Sequence, residues 1–307
     1  MANAGANASI AGDPSVVIVG ARGMLGSTWV DALGQRPITV GDRGQSPVGA
    51  LDLPDFDLRN ESHISSAIND NVAIVINCAG YTDVDGAELN PDPAFEVNAR
   101  SVEMLAERCA QVGALLVHYS TDYVFDGERT EPYPVGHPHN PINVYGKSKS
   151  EGEHNAQRSG ADALIIRTSW LISAKGKNFV RTIARAARER ATLSIVDDQR
   201  GRPTSTSWLV EATRRLIAQG ARGEHHVCLE GECSWFELGE AVTLAQNASC
   251  KVTRCASDDY PSPAPRPRYS VLDLTKTTER IGPAPHWRDE LARILPLVNL
   301  TRDAHVL

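Results

Sequence analysis

The sequence has 307 residues, of which 41% are hydrophobic, so it is long enough to bury a full core in one large or two modest domains. Its formal net charge of −7 argues against a nucleic-acid or anionic-membrane partner. No apolar run approaches the ~20 residues of a membrane span, and residues 1–14 lack signal-peptide features. We therefore expect a cytoplasmic protein with a flexible extension at 1–14.

Apolar runs and helical patterns alternate through the first two-thirds of the chain, which is typical of a parallel sheet covered on both faces. Strands are predicted near 16–19, 38–41, 72–77, 114–120 and 163–168. Helices are predicted near 24–34, 61–69, 93–111, 145–158 and 178–190. The fold class is therefore α/β, with a Rossmann-type doubly wound parallel sheet formed by residues 15–170.

The remaining part of the chain, 171–307, is expected to form a smaller, mainly substrate-binding α/β part, with a later return of the chain to the first domain. Short strands are predicted at 193–196 and 225–229, and helices near 207–218 and 234–245. A loop rich in proline follows at 260–267.

Three glycines follow the first predicted strand with the spacing of a dinucleotide-binding turn. Gly20 would allow the sharp exit from the strand, Gly23 the approach of a pyrophosphate, and Gly26 the close packing of the next helix on the sheet. The N-terminus of that helix would then face the phosphates. The pattern predicts a nucleotide site at this turn.

The choice between cofactors depends on the predicted second strand, which ends in Asp42 and Arg43. An acid at this position usually binds the ribose hydroxyls of NAD, whereas a nearby arginine accommodates the additional phosphate of NADP. Arg22, inside the glycine turn, adds a second guanidinium that could bind this phosphate. We expect NADPH, with NADH accepted.

Tyr145 and Lys149 are four residues apart and therefore lie on one face of the predicted helix. A free tyrosine titrates near pH ~10, so an adjacent ammonium is expected to make the phenol a better acid. Thr121 ends the predicted strand at 114–120 and would point into the crevice where ligands bind in such sheets. The three residues form a candidate catalytic set.

With these motifs in order, the chain resembles the extended short-chain dehydrogenase/reductases, and among them the reductases of dTDP-linked 4-keto sugars. The resemblance extends over residues 16–275 and includes the segments 20–26, 77–85, 120–127, 143–149, 167–170, 178–179, 196–204 and 266–267. It implies NADPH-dependent reduction of the 4-keto group of dTDP-4-dehydro-L-rhamnose to dTDP-L-rhamnose.

The resemblance also implies a role for each matching residue. Tyr145 would donate a proton to the keto oxygen, Lys149 would hold the cofactor ribose, and Thr121 would hydrogen-bond the same keto oxygen. The cofactor-binding residues would be Gly20, Arg22, Gly23, Met24, Leu25, Gly26, Asp42, Arg43, Asp57, Leu58, Gly80, Tyr81 and Thr82, with Tyr145 and Lys149. The substrate-binding residues would be Thr121, Asp122, Trp170, Arg202 and Arg266.

Several alternative functions share this fold. A sugar-nucleotide dehydratase is disfavoured, because Tyr123 stands where that class has a glutamate that serves as the base for elimination. An epimerase is disfavoured by resemblance alone. A sister 4-ketoreductase of another deoxysugar stays open, as does a non-catalytic subunit like the regulatory subunit of methionine adenosyltransferase.

The six cysteines are expected to be reduced thiols. The equal spacing of Cys228 and Cys233 and of Cys250 and Cys255 leaves a zinc site or a disulfide as a less favoured alternative. The sequence assigns no metal-binding residue and leaves open whether a magnesium ion is bound, and we expect a monomer or homodimer.

Overall fold

The structure, a computed structural model, describes residues 16–35, 48–246, 249–260 and 262–300. The strands in these ranges are β1 (Val16–Val19), β2 (Val48–Leu51), β3 (Ile74–Asn77), β4 (Leu115–Thr121), β5 (Ala163–Thr168), β6 (Leu171–Ile172), β7 (Thr192–Val196), β8 (Arg200–Gly201), β9 (Thr204–Ser205), β10 (Gly223–His226), β11 (Cys233–Ser234) and β12 (Lys251–Cys255).

The α-helices are α1 (Met24–Gln35), α2 (Glu61–Ala67), α3 (Val84–Leu89), α4 (Pro91–Phe95), α5 (Ser101–Val112), α6 (Val144–Arg158), α7 (Phe179–Glu189), α8 (Thr206–Ala218), α9 (Trp235–Ala245), α10 (Thr275–Ile281) and α11 (Trp287–Leu300). A π-helical turn at Glu96–Arg100 connects α4 to α5. None of the helices in the described ranges has the length and apolar character needed to cross a bilayer.

Among the described residues, six parallel strands form the main sheet in the order β10–β5–β4–β3–β1–β2. β1 shows why both faces are covered, since its alternate residues point into two different hydrophobic clusters. Val16 and Ile18 pack with residues of α1 and α8, whereas Val17 and Val19 pack with residues of α2 and α5. A strand buried on both faces needs a continuous apolar run, as this one has. The predicted Rossmann-type fold is confirmed.

The strand order places a ligand crevice at the carboxyl end of β1. From β1 the chain moves to β2 on one side and then to β3 on the other, and a topological switch of this kind opens a crevice beyond the strand ends. The glycine turn follows β1 directly, so it lies at this crevice.

The pairing of β1 shows which segment lies beside it in the sheet. The predicted strand at 38–41, with Asp42 and Arg43, lies outside the described residues. Both edges of β1 are paired, one with β2 and the other with β3. The place beside β1 therefore belongs to Val48–Leu51, and the acid at the end of this strand is Asp52.

The helix predicted at 93–111 is divided into α4, the π-helical turn and α5. It begins earlier than predicted because Pro91 fits the first helical turn, where a backbone N–H would have no acceptor within the helix. The π turn buries Asn98, whose side chain binds both backbone groups of Tyr81, accepting from N at 2.9 Å and donating to O at 3.0 Å. The segment Gly80–Thr82 is thus held against this helix.

The smaller part of the molecule contains three two-stranded sheets, which pair β6 with β9, β8 with β11, and β7 with β12. β10 instead joins the main sheet, where it pairs in parallel with β5 in the register Gly223 to Leu164. Residues from the C-terminal part of the chain thus pair within the same sheet as β1, which the glycine turn follows.

Candidate active site

The glycine turn has the geometry that its spacing predicts. Gly20 adopts a φ of +79°, and a Cβ at this position would lie 2.6 Å from the backbone N of Ala79. A Cβ on Gly26 would overlap the carbonyl oxygen of Gly20, so α1 packs closely against the end of β1. Gly23 closes the turn through its N–H, which donates to Gly20 O at 3.1 Å. Larger side chains at Gly20 or Gly26 would separate the turn from the sheet.

A cleft of about 630 Å³ opens beside this turn. Its lining includes Arg22, Asp52, Asp55 and Phe56. The backbone N–H of Arg22 donates to Asp52 Oδ2 at 2.6 Å, so the acid at the end of β2 is fixed to the turn. The Arg22 guanidinium donates to Leu53 O at 2.7 Å and lies 3.8 Å from Asp55. The cleft therefore has both a carboxylate and an exposed guanidinium at its mouth.

Sequence reasoning missed Asp52. It lies further from the glycines than the roughly 20 residues that usually separate this acid from the fingerprint. The usable signal was the run of Gly49, Ala50 and Leu51, a short apolar stretch that ends in an acid. Asp57 and Leu58 follow it: Leu58 is buried, and hydrogen bonds from Arg59 lower the pKa of Asp57 to about 2.

The catalytic candidates meet where β4 ends and α6 begins. Thr121 ends β4 and donates through Oγ1 to Asp122 Oδ1 at 3.0 Å. Asn143 caps α6 by accepting from Gly146 N at 2.7 Å, which places Tyr145 in the first turn and Lys149 one turn later. The Lys149 ammonium donates to the backbone oxygen of Tyr119 at 2.6 Å.

The protonation of this group differs from the sequence-based expectation. Burial raises the pKa of Tyr145 to about 12, and a hydrogen bond with Thr121 opposes the rise. Burial lowers the pKa of Lys149 to about 8, with the Glu153 carboxylate opposing. Desolvation is the largest cause of the shift of Tyr145, and the expected acidification by Lys149 is not among the causes, so Tyr145 stays protonated at neutral pH.

Asp122 is the other titratable group beside Thr121. Burial raises its pKa to about 6, against hydrogen bonds with Ser270 and Thr121 that favour the ionised form. The side chain is 2% exposed. Asp122 can therefore change its protonation state near neutral pH, directly beside the hydroxyl of Thr121.

Trp170 forms a wall whose other members the sequence did not reveal. Its φ of 48° is unusual for a large side chain and marks a strained backbone that the surroundings must hold. The indole stacks on Trp235 at a centroid distance of 3.6 Å, and a Cβ on Gly201 would lie 2.6 Å from the same ring system. Trp235 and Gly201 were missed, since adjacent aromatic residues at a helix start resemble ordinary core.

The two arginines predicted to bind substrate have partners within the chain. Arg202 lies 3.4 Å from both Leu229 O and Glu230 Oε2, and its Nε is buried without a hydrogen-bond partner in the described part of the chain. Arg266 instead forms a two-pronged ion pair with Asp85. The candidates that lie together at the end of β4 are therefore Thr121, Asp122, Tyr145 and Lys149. Arg266 is instead bound to α3, the helix that follows Gly80–Thr82.

A buried ion pair supports the ends of β4 and β5. Arg167 donates to both carboxylate oxygens of Glu153, with Nη2 to Oε2 at 2.7 Å, and the side chains are 3% and 0% exposed. Ser120, next to Thr121, also donates to Glu153. Because Glu153 lies one turn after Lys149 on α6, it connects the catalytic helix to both strands.

All six cysteines lie in the described part of the chain as free thiols, and burial raises the pKa of Cys109 and Cys233 to about 12. No disulfide bond therefore joins any of these six cysteines. No cluster of three or more His, Cys, Asp or Glu side chains in the described ranges could hold a metal ion.

Comparison with known proteins assigns the chain to a family. The family model described as RmlD substrate binding domain matches residues 14–299. A dTDP-4-dehydrorhamnose reductase of Burkholderia thailandensis is 36% identical over 89% of this chain and 95% of its own length. The spore coat polysaccharide biosynthesis protein SpsK of Bacillus subtilis is 38% identical over 72% of this chain and 78% of its own length.

A solved structure agrees with these relatives. The dTDP-4-dehydrorhamnose reductase of Bacillus anthracis, crystallised in complex with NADP, superposes with a TM-score of 0.86 at 34% identity, covering 92% of this chain and 99% of that one. The chain therefore belongs to the RmlD family of dTDP-4-dehydrorhamnose reductases, a family of NAD(P)-dependent oxidoreductases.

Proposed function

We propose that this protein reduces the 4-keto group of dTDP-4-dehydro-L-rhamnose to give dTDP-L-rhamnose, with NADPH as reductant and Tyr145 as proton donor. The observation that carries the proposal is the grouping of Thr121, Tyr145 and Lys149 at the end of β4, in a chain of a reductase family. This arrangement offers an acid, a hydrogen-bond donor and a cation at one place.

The cleft beside the glycine turn fits a dinucleotide. Its volume is within the range of small-ligand sites, and the first-turn N–H groups of α1 would bind a pyrophosphate. Asp52 would accept from the ribose hydroxyls, and Arg22 would turn from Leu53 and Asp55 to a 2′-phosphate. The relative of Bacillus anthracis was crystallised with NADP, which supports this choice of cofactor. The bound nicotinamide supplies the hydride.

Residues of the chain would supply the proton and stabilise the charges that develop as it is transferred. Because the pKa of Tyr145 is about 12, its phenol carries a proton at pH 7 and gives it up only as negative charge develops on the keto oxygen. Thr121 stabilises that charge by turning its hydroxyl from Asp122 to the same oxygen. Lys149, protonated below its pKa of about 8, balances the phenolate that results.

A second candidate is a sister 4-ketoreductase that acts on another dTDP-deoxysugar. It is favoured by the relation to SpsK, whose name describes spore coat polysaccharide biosynthesis rather than one reaction. The chemistry at Tyr145 would be the same, and the difference would lie in how the sugar fits against the wall of Trp170, Trp235 and Gly201.

Product analysis tests the proposal. The purified protein is incubated with dTDP-4-dehydro-L-rhamnose and NADPH, cofactor oxidation is followed by absorbance, and the sugar is identified by NMR. We expect dTDP-L-rhamnose as the product. A product epimeric at C4 would favour the sister reductase. Absence of turnover, together with tight binding to another protein, would support the regulatory-subunit alternative.

A further inference from the structure

The proline-rich segment at 262–268 is bound to two elements of the active site. Arg266 donates from Nη2 to Asp85 Oδ2 at 2.9 Å and from Nη1 to Asp85 Oδ1 at 3.1 Å. Asn143, the N-cap of α6, donates from Nδ2 to Pro265 O at 2.9 Å. The segment therefore connects α3, which contains Asp85, to the helix that carries Tyr145.

The hydrogen-bonding capacity of the Arg266–Asp85 pair is used within the chain. Nη1 of Arg266 also donates to Ala264 O at 3.1 Å and to the hydroxyl of Ser262. Asp85 Oδ1 also accepts from Ala264 N at 3.2 Å. An anionic ligand would have to compete for Arg266 with a bidentate carboxylate, which is among the stronger pairings a guanidinium makes.

Tyr123 lies between this pair and the proton donor. Burial raises the pKa of Tyr123, and the charge of the nearby Arg266 guanidinium opposes this rise. The Tyr123 ring meets that of Tyr145 edge to face, at a centroid distance of 5.8 Å and an angle of 76°. The carbonyl oxygen of Tyr123 also occupies the space that a Cβ on Gly146 would need. Tyr123 is thus packed against the first turn of α6 by both ring and backbone.

We infer that Arg266 is a positioning residue and does not bind the sugar nucleotide. Its ion pair with Asp85 fixes the segment that binds the N-cap of α6, and so keeps Tyr145 and the adjacent Tyr123 in place. The inference rests on the proposed role of Tyr145 as proton donor. Its physical basis is that a displacement of about 1 Å at the reacting groups can cost on the order of 10²-fold in rate.

The test compares Arg266→Met and Asp85→Asn in the full-length protein, with kcat and KM measured for dTDP-4-dehydro-L-rhamnose at saturating NADPH. Each change should lower kcat roughly tenfold or more and leave KM within about threefold, since the pair acts on orientation rather than on binding. The double variant should be no worse than either single one, because both remove the same pair. Arg266→Lys should recover only part of the activity, since an ammonium lacks the planar fork.

A substrate ligand would give the opposite pattern. If Arg266 bound the sugar nucleotide, Arg266→Met would raise KM, whereas Asp85→Asn would free the guanidinium and leave KM unchanged or lower. That pattern overturns the inference. Asp162→Asn is the matched control, because it breaks the exposed Asp162–Arg222 pair at the amino end of β5, and it should change neither constant.

Two further variants keep the inference testable. Tyr123→Phe retains the packed ring while removing the hydroxyl near the charge of Arg266, and should lower kcat with KM unchanged even if the ion-pair variants fold poorly. Tyr145→Phe, measured alongside, distinguishes a failure of the proposed function from a failure of the positioning role of Arg266. Full activity of that variant rejects the proposed function itself, whereas an inactive Tyr145→Phe with normal kcat in Arg266→Met rejects the positioning role alone.

Discussion

The site has a catalytic end, around Tyr145 and Lys149, and a cofactor end, around the glycine turn. The two ends hold their charged groups in different ways. At the catalytic end, Glu153 and Arg167 are 0% and 3% exposed and are joined by several hydrogen bonds. At the cofactor end, Arg22 and Asp55 are 67% and 87% exposed and lie 3.8 Å apart. Buried pairs fix geometry, whereas exposed pairs exchange partners at little cost. The rate should therefore depend on the catalytic end, and the choice of cofactor on the cofactor end.

The largest effect is expected at Tyr145, and it tests whether the catalytic end performs the chemistry. Tyr145→Phe should lower kcat by about 10²- to 10⁴-fold, the usual contribution of a general acid, with NADPH affinity retained. Steady-state kinetics and fluorescence titration of NADPH measure the two quantities. Tyr260→Phe is the control, since that side chain is 66% exposed and should leave both unchanged. Near-normal turnover of Tyr145→Phe would mean that another group supplies the proton.

The difference in burial between the two kinds of ion pair can be measured as a difference in the free energy of unfolding. Glu153→Gln leaves Arg167 buried beside a neutral partner and should cost roughly 3–5 kcal/mol of unfolding free energy. Glu211→Gln breaks the exposed pair of Glu211 with Arg215 and should cost no more than about 1 kcal/mol. Denaturant unfolding of both variants gives the comparison. Equal losses would contradict the contrast between buried and exposed pairs.

The pKa of Lys149 sets the alkaline limit of the reaction. Because the group is charged below its pKa of about 8, kcat/KM for the sugar should be level near pH 7 and fall about tenfold per unit above pH 8. The phenol of Tyr145 should not contribute to this limb, since its pKa is about 12. A pH profile of initial rates checks the expectation. A profile that stays flat to pH 10 would show that the charge of Lys149 is not needed.

The smallest effects are expected at the cofactor end. Arg22→Ala should weaken NADPH, and Asp52→Asn should weaken NADH, each by about tenfold or less, because one exposed charged contact is typically worth about 1 kcal/mol. The ratio of kcat/KM for the two cofactors measures the shift, with kcat itself little changed. A loss of kcat as large as that of Tyr145→Phe would place catalytic function at this end as well.

Local spacing explains which parts of this site could be predicted from the sequence. The three glycines lie within seven residues, and Tyr145 and Lys149 are one helical turn apart, so both motifs follow from the geometry of a single turn or helix. The alternation of strands and helices predicted the sheet for the same reason. Each of these features is determined by neighbours along the chain.

Contacts between distant segments could not be predicted in this way. Asp52 acquires its position only because β2 pairs with β1, and no local pattern favoured Val48–Leu51 over the run at 38–41. The pairing of Asp85 with Arg266 joins residues 181 positions apart. Likewise, the stacking of Trp170 on Trp235 joins the residue before β6 to the first residue of α9, and neither segment encodes this contact alone.

The late arrival of β10 has a consequence for biosynthesis. The outer edge of β5 stays without a partner strand until Gly223–His226 has left the ribosome, although the nucleotide turn and the catalytic helix emerge long before. An uncovered parallel edge is a template for pairing with other chains. A nascent or prematurely terminated chain that ends before β10 is therefore expected to self-associate, and a chain that includes it to stay monodisperse.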